Sequence, residues 1–174
     1  MKQSIDVGWA RSLTDLNKQL LVSKKLRGDL NNYMRKCFPK APPDFTQCMV
    51  DICHTNKDLA DRISTLIFRD TKHIVGFIQF IWDEKERTCL FINLCRARGH
   101  KGFCQLILQT AIRTCQELHP TAARALLHMD IFKFKLQALY ESYGWRLSDI
   151  NNYTIELEWI LGQEQECDLI EFIS

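Results

Sequence analysis

The sequence predicts an α/β (α+β) domain with a mixed, mainly antiparallel central sheet of six or seven strands flanked by about four helices. Three features of the chain lead there. Between Ile63 and Leu94, alternating apolar residues run into a charged tip and return, as a β-hairpin does. Helical spacing of apolar residues brackets that stretch, over Leu13–Leu21 and over Phe103–Leu118. The remainder then alternates strand, helix, strand and strand.

Each element has a local reason. Ser4 to Trp9 alternates polar and apolar residues, as a half-buried strand does. Ser12 with Asp15 three positions on is a weaker form of the capping box, and Leu13, Leu16, Leu20 and Leu21 follow at helical spacing. Gly28 is expected to interrupt before a second short helix over Leu30–Phe38, with Tyr33, Met34 and Cys37 on one side. Pro39, Pro42 and Pro43 make the next stretch a loop. Thr46–Ala60 reads two ways, as a weak helix through Met49, Ile52 and Cys53 or as a mobile segment covering a substrate.

Ile63–Arg69 is short and β-prone, and His73–Trp82 is the strongest strand, with Val75, Phe77, Gln79 and Ile81 on one face. The tip Asp83–Arg87 turns the chain back along Thr88–Leu94. A helix over Phe103–Leu118 carries the stripe Cys104, Leu108, Ile112 and Cys115. Ala123–Met129 is a strand, and Phe134–Tyr143 is a helix closed by Gly144 as a left-handed cap. Arg146–Ser148 begins a short strand, Tyr153–Leu161 alternates cleanly, and 162–174 reads as an acidic tail. No repeat or low-complexity linker divides the 174 residues, so one domain over 1–174 is expected.

Composition narrows the function classes. The 23 Lys and Arg against 21 Asp and Glu leave a formal charge of +2, which gives no global field to gather nucleic acid or anionic lipid. No run interleaves aromatics with Arg or Lys as a stacking groove would, so nucleic acid is not the expected partner. No apolar run reaches the ~18 residues of a membrane span, and the N-terminal stretch lacks a signal-peptide core. The expected location is the cytoplasm, with the nucleus as the alternative. Cys89, Cys95, Cys104 and Cys115 sit in apolar stretches as small hydrophobes do, and in such a compartment no disulfide framework is expected. Cys37, Cys48, Cys53 and His54 lack the paired C-x2-C spacing of a zinc site, so no metal is expected.

One segment carries chemistry. Arg96-Ala97-Arg98-Gly99-His100-Lys101-Gly102 links a strand to a helix. A helix N-terminus presents unsatisfied N–H groups and the positive end of its dipole, so it suits an anion such as pyrophosphate. The spacing is neither that of a P-loop nor that of a dinucleotide fold, and a basic glycine loop alone is as readily a surface turn. Two stretches in register add to it. Leu94–Leu108 (LCRARGHKGFCQLIL) is similar to the [QR]-x-x-G-x-[GA] signature of the GNAT acetyltransferase superfamily, with Gly102 and Cys104 as its two small residues. Leu136–Trp145 (LQALYESYGW) resembles the fourth-helix pattern of that family, with Tyr140 ahead of Gly144-Trp145. The resemblance runs from about His73 to Leu161. It departs at Gly99, where Gln or Arg is the rule, at Cys104, where Gly or Ala is, and at Lys133, where many relatives have Asn.

That resemblance implies an N-acetyltransferase that passes an acetyl group from acetyl-CoA to a primary amine by direct attack. The acceptor is an unidentified small molecule or protein, and the protein is a monomer or a homodimer. The implied acetyl-CoA contacts are Leu94, Cys95, Arg96, Arg98, Gly99, His100, Lys101, Gly102, Phe103 and Cys104, with Lys133 and Tyr140. Tyr140 is the candidate partner of the departing thiolate, or a member of the Leu136–Leu139–Tyr143 packing stripe. Relatives often carry a glutamate base on the fourth strand, where this chain offers Asn93, which can position a water but not take a proton. His128 and Asp130 are the substitutes, and a reference pKa of about 6.5 suits histidine to the task. The missing carboxylate and altered motif keep a second reading open, a catalytically impaired CoA-binding or protein-interaction module. Tyr33, Phe38, Phe45 and Trp82 line an acceptor pocket or belong to the core.

Overall fold

The computed structural model describes residues 4–40, 42–96 and 102–162. The elements are β1 (Asp6–Ala10), α1 (Leu13–Val22), α2 (Lys24–Cys37), α3 (Phe45–Thr55), α4 (Lys57–Arg62), β2 (Ile63–Arg69), β3 (Ile74–Asp83) and β4 (Thr88–Arg96). Then come α5 (Phe103–Leu118), β5 (Arg124–Asp130), α6 (Phe134–Ser142), β6 (Arg146–Ile150) and β7 (Thr154–Ile160). The seven strands form one sheet in the order β1-β2-β3-β4-β5-β7-β6. Every neighbouring pair is antiparallel except β4 and β5, which run parallel and are joined by α5.

Each sheet face has its own core. On one, α5 and α6 bury Phe68, Phe80, Phe91, Leu127 and Leu157. On the other, α1 to α4 bury Ile63, Ile67, Ile74 and Phe77. Past β4 this second face turns polar, with Arg124, His128, Glu156 and Glu158.

The expected elements are present, with informative differences. Thr46–Ala60 forms two helices, capped by the side chains of Asp44 and Asn56, so the described residues hold six helices where about four are expected. Gly28 does not interrupt α2: the break falls at Ser23, whose hydroxyl accepts from Leu26 N at 3.1 Å and caps a new helix. Val75 does not share a face with Phe77. Phe68 pairs with Gly76 but Arg69 with Ile74, and the extra residue turns Val75 into the α5 side of the core.

The cysteines also differ from expectation. Cys37 on α2 is disulfide-bonded to Cys95 on β4, and Cys89 on β4 to Cys115 on α5. Cys89, Cys95 and Cys115 read as apolar packing and Cys37 as part of a rejected zinc set, because the partners lie 58 and 26 residues apart, across layers that only the fold brings together. Cys104 stays a buried thiol. Among the described residues, no helix is long and apolar enough to cross a membrane.

Candidate functional site

The sheet opens between β4 and β5. Their ladder runs from Thr88↔Arg124 to Phe91↔Leu127 and stops, while β4 continues to Arg96 along β3 and β5 continues to Asp130 along β7. A bulge explains the place. Phe77 pairs with Cys95 but Gln79 with Ile92, so β4 takes in one extra residue, which bends a strand and raises its twist. Asn93 sits there at φ 52, a left-handed backbone that Asn adopts more readily than most side chains.

Both banks of the opening are polar on the face of α1 to α4. Asn93 Nδ2 donates to Gln79 Oε1 at 2.9 Å. Gln79 Nε2 in turn donates to Thr65 Oγ1 at 3.1 Å and approaches Met49 Sδ at 3.6 Å. On the β5 bank, His128 Nε2 lies 2.8 Å from Glu156 Oε2, and Ser148 Oγ donates to Glu156 Oε1 at 2.7 Å. Desolvation acts to raise the Glu156 carboxyl, but the hydrogen bonds from His128 and Ser148 outweigh it and hold the group below its usual range. An open groove of about 280 Å³ leads along this face from the β3–β4 tip to His128, floored by Ile81, Leu90 and Leu126.

The other side of the opening belongs to α5 and α6. Gly102, at φ 75, starts α5, and among the described residues no side chain caps the helix. A left-handed start suits glycine, and the positive end of a helix dipole suits an anion. Cys104 follows within that turn, buried, close enough to the buried Tyr140 of α6 and to Arg96 to feel both electrostatically. Burial pushes both the Tyr140 phenol and the Cys104 thiol up, with the Arg96 guanidinium pulling each back. Burial raises the Tyr143 phenol in the same way.

Tyr140 is fixed by how its helix ends. Its carbonyl accepts from Tyr143 N at 3.0 Å and from Trp145 N at 3.2 Å, and Gly144 takes φ 102. A Cβ on Gly144 would lie 2.9 Å from Trp159 Cζ3. Trp145 itself packs on Phe91 and Trp159. The Gly-Trp pair thus seats Tyr140 against the end of the β4–β5 ladder.

The structure brings Asn93, Leu94, Cys95, Arg96, Gly102, Phe103, Cys104, His128 and Tyr140 to the opening. Lys133 is the first-turn cap of α6, where its carbonyl accepts from Leu136 and Gln137. Arg98, Gly99, His100 and Lys101 lie outside the described residues. Tyr33 is not a pocket wall: it is buried, and its hydroxyl donates to Cys95 O at 3.0 Å, tying α2 to β4. Trp82 stacks on His119 with ring centroids 4.3 Å apart, away from the opening at the far end of β3. Sequence reading missed Gln79, Glu156 and Ser148. Strand alternation puts Gln79 and Glu156 on definite faces, but only pairing register reveals what they touch.

Acetyltransferases are among the solved structures that share this fold. A spermidine N-acetyltransferase from Vibrio cholerae, solved with CoA and spermine, matches with a TM-score of 0.59 at 14% identity, over 90% of this chain and 95% of that one. The N-acetyltransferase PseH of Campylobacter jejuni matches with a TM-score of 0.61 at 16% identity, over 90% and 98% of the two chains. The chain has the GNAT fold. The IAA acetyltransferase of Bacillus cereus shares this GNAT fold with a TM-score of 0.60 at 14% identity, over 91% of this chain and 100% of that one. No family model matches the sequence, and no curated protein matches it.

Proposed function

We propose that this protein is an acetyl-CoA-dependent N-acetyltransferase that acts on a primary amine by direct attack. The observation that carries the reading is one junction in the GNAT fold. The β4–β5 ladder ends at Phe91↔Leu127, and there the glycine-led start of α5 and the Tyr140 hydroxyl stand on the α5–α6 side, with Asn93 and His128 on the other. The residues fit acetyl-CoA: Gly102 and the small Cys104 let a phosphate approach the start of α5, and the Tyr140 phenol lies beside it. The CoA bound to the Vibrio cholerae spermidine N-acetyltransferase of the same fold supports this cosubstrate.

Bound acetyl-CoA supplies an activated acetyl thioester. The β4 backbone past Phe91, outside the β5 ladder, offers N–H groups to polarise a carbonyl oxygen. His128, with Glu156 behind it, takes the proton that the amine gives up. Tyr140 acts on the thiolate as a hydrogen-bond donor rather than by full proton transfer. A phenol of ordinary pKa ~10 is already a weaker acid than a thiol at ~8.5, and burial widens that gap.

One observation favours the second reading, a CoA-binding module without turnover: the β4 bank of the opening carries Asn93, which cannot take a proton, in place of a carboxylate. Titration of acetyl-CoA into wild type and Gly102→Glu, followed by a primary-amine transfer assay, separates the two. Binding lost in Gly102→Glu together with transfer supports the enzyme. Binding with no transfer to any amine favours the module, and no binding by folded wild type removes both.

A further inference from the structure

A row of polar side chains crosses five strands at one level of the sheet. Thr65 pairs with Gln79, and Gln79 with Ile92 beside Asn93. The last β4–β5 pair, Phe91↔Leu127, sets Ile92 and His128 at the next step, and His128 pairs with Glu156. The side chains share a face. Ile81, Leu90 and Leu126 partner one another across β3, β4 and β5, and Gln79 and His128 each lie two residues from a member of that set. The row is broken in one place, where the β4–β5 ladder has stopped. Asn93 stands on one bank of that gap and His128 on the other.

Each bank is oriented from behind. A thioether sulfur accepts hydrogen bonds and has none to give, so the nitrogen of the Gln79 amide is the end that faces Met49 and Thr65. Its oxygen then faces Asn93, which must present its NH2 to Gln79 and turn Oδ1 elsewhere. Among the described residues, Asn93 Oδ1 has no hydrogen-bond partner, and it is not a buried orphan either. On the other bank, the Glu156 carboxylate, itself held by Ser148, selects the tautomer of His128 with its proton on Nε2. Nδ1 is left with a lone pair. Two acceptors on opposite banks, each with its donor end already used, call for a ligand with several N–H donors at one centre.

We propose that Asn93 Oδ1 and His128 Nδ1 form the cradle for a primary amine, and that Gln79 and Glu156 are its positioning residues. The proposal rests on the acetyl-transfer reading for what happens to the amine, and on the side-chain relays alone for where it binds.

The test uses the full chain with nitrogen-15 in the Asn and Gln side-chain amides and the His rings, with n-butylamine as the probe. Asn93→Leu and His128→Asn assign the two signals. In wild type the amine moves both together. Gln79→Leu and Glu156→Ala each weaken the amine by about tenfold or more, the worth of one charge-assisted hydrogen bond. Glu156→Gln, whose amide oxygen still accepts from Nε2, stays within about threefold of wild type, a rescue that loss of packing would not give. Acetyl-CoA affinity is unchanged in all of them. If Gln79→Leu melts early, Thr65→Val, which removes only the Oγ1 partner, replaces it with the same sign of effect. An amine that moves neither signal overturns the cradle, as does a Gln79→Leu protein that binds it normally. Failure to bind acetyl-CoA while the amine moves both signals overturns the acetyl-transfer reading and leaves the cradle standing.

Discussion

Alanine placed at Gly76 and at Gly28 moves stability in opposite directions, for reasons visible in the packing. A Cβ on Gly76 would lie 2.8 Å from both Ile107 Cδ1 and Phe103 Cε1, and 3.2 Å from Ile107 Cγ1. Non-bonded carbons rest about 3.5–4.0 Å apart, so two contacts overlap by roughly 0.7 Å. Neither neighbour has space to retreat: Ile107 is fully buried, and the Phe103 ring sits edge-on to Phe68 with centroids 5.8 Å apart. Overpacking of this kind costs about 1–3 kcal/mol. At roughly 2–4 °C per kcal/mol for a chain of this size, a 2 kcal/mol loss lowers Tm by about 4–8 °C. At Gly28, exposed within α2, a Cβ meets nothing within 4 Å, and alanine gains about 1 kcal/mol of helix propensity. Calorimetric melting of both variants reads the two signs. Since Phe103 and Ile107 form the first turns of α5, Gly76→Ala also weakens acetyl-CoA binding and Gly28→Ala does not. A Gly76→Ala protein as stable as wild type, or a Gly28→Ala protein less stable than it, refutes this account.

Other perturbations have equally definite signs. The Asp44 carboxyl accepts from Thr46, Gln47 and Asn31 beside Arg27, contacts that together hold it down at about 2. A depressed acid stabilises the fold above its unfolded pKa near 4 and loses that contribution as pH falls through about 2. With its side chain 48% exposed, the contribution is on the order of 1 kcal/mol, and urea melts between pH 4 and 2 have a shallower pH slope in Asp44→Asn. Tyr140→Phe lowers kcat for acetyl transfer by roughly tenfold, as a lost hydrogen bond to a charged group does, and leaves acetyl-CoA affinity within about twofold. An unchanged kcat would assign Tyr140 to packing alone. Reduction of Cys89–Cys115, which closes a separation of 26 residues, removes about 3.5 kcal/mol, read as a lower urea midpoint in Cys115→Ala. Peptide mapping without reductant checks the pairing directly.

What the sequence makes legible follows from the range of the forces involved. Strands β2 to β5 and helix α5 show in the sequence because alternation and helical spacing are local, and Gly102 and Tyr140 show because they lie in short motifs. Ser23 was overlooked as a break because a single capping hydroxyl competes with a glycine whose penalty is small on an exposed face. The bulges at Val75 and Asn93 leave no trace in alternation until the partner strand is known. The same holds for His128 with Glu156, 28 residues apart, which depends on β5 and β7 pairing, and for the disulfides, which depend on layers meeting. Asn93 reads from the sequence as a residue that can position a water but not take a proton. Its bond to Gln79 shows an oriented amide instead.

The double attachment of α2 to Cys95 has a mechanical consequence. Tyr33 grips the carbonyl of that residue and Cys37 its sulfur, one helical turn apart at the same end of α2. A rod held at two adjacent points cannot slide or roll against β4, but it can tilt about the grip. From Cys37 to Lys24 the rod is about 20 Å long at 1.5 Å per residue, so a 5° tilt carries its far end by nearly 2 Å while Cys95 stays put. In α2, then, the helix α1 and its junction at Ser23 ride on the long arm of a lever whose fulcrum is the strand at the sheet opening.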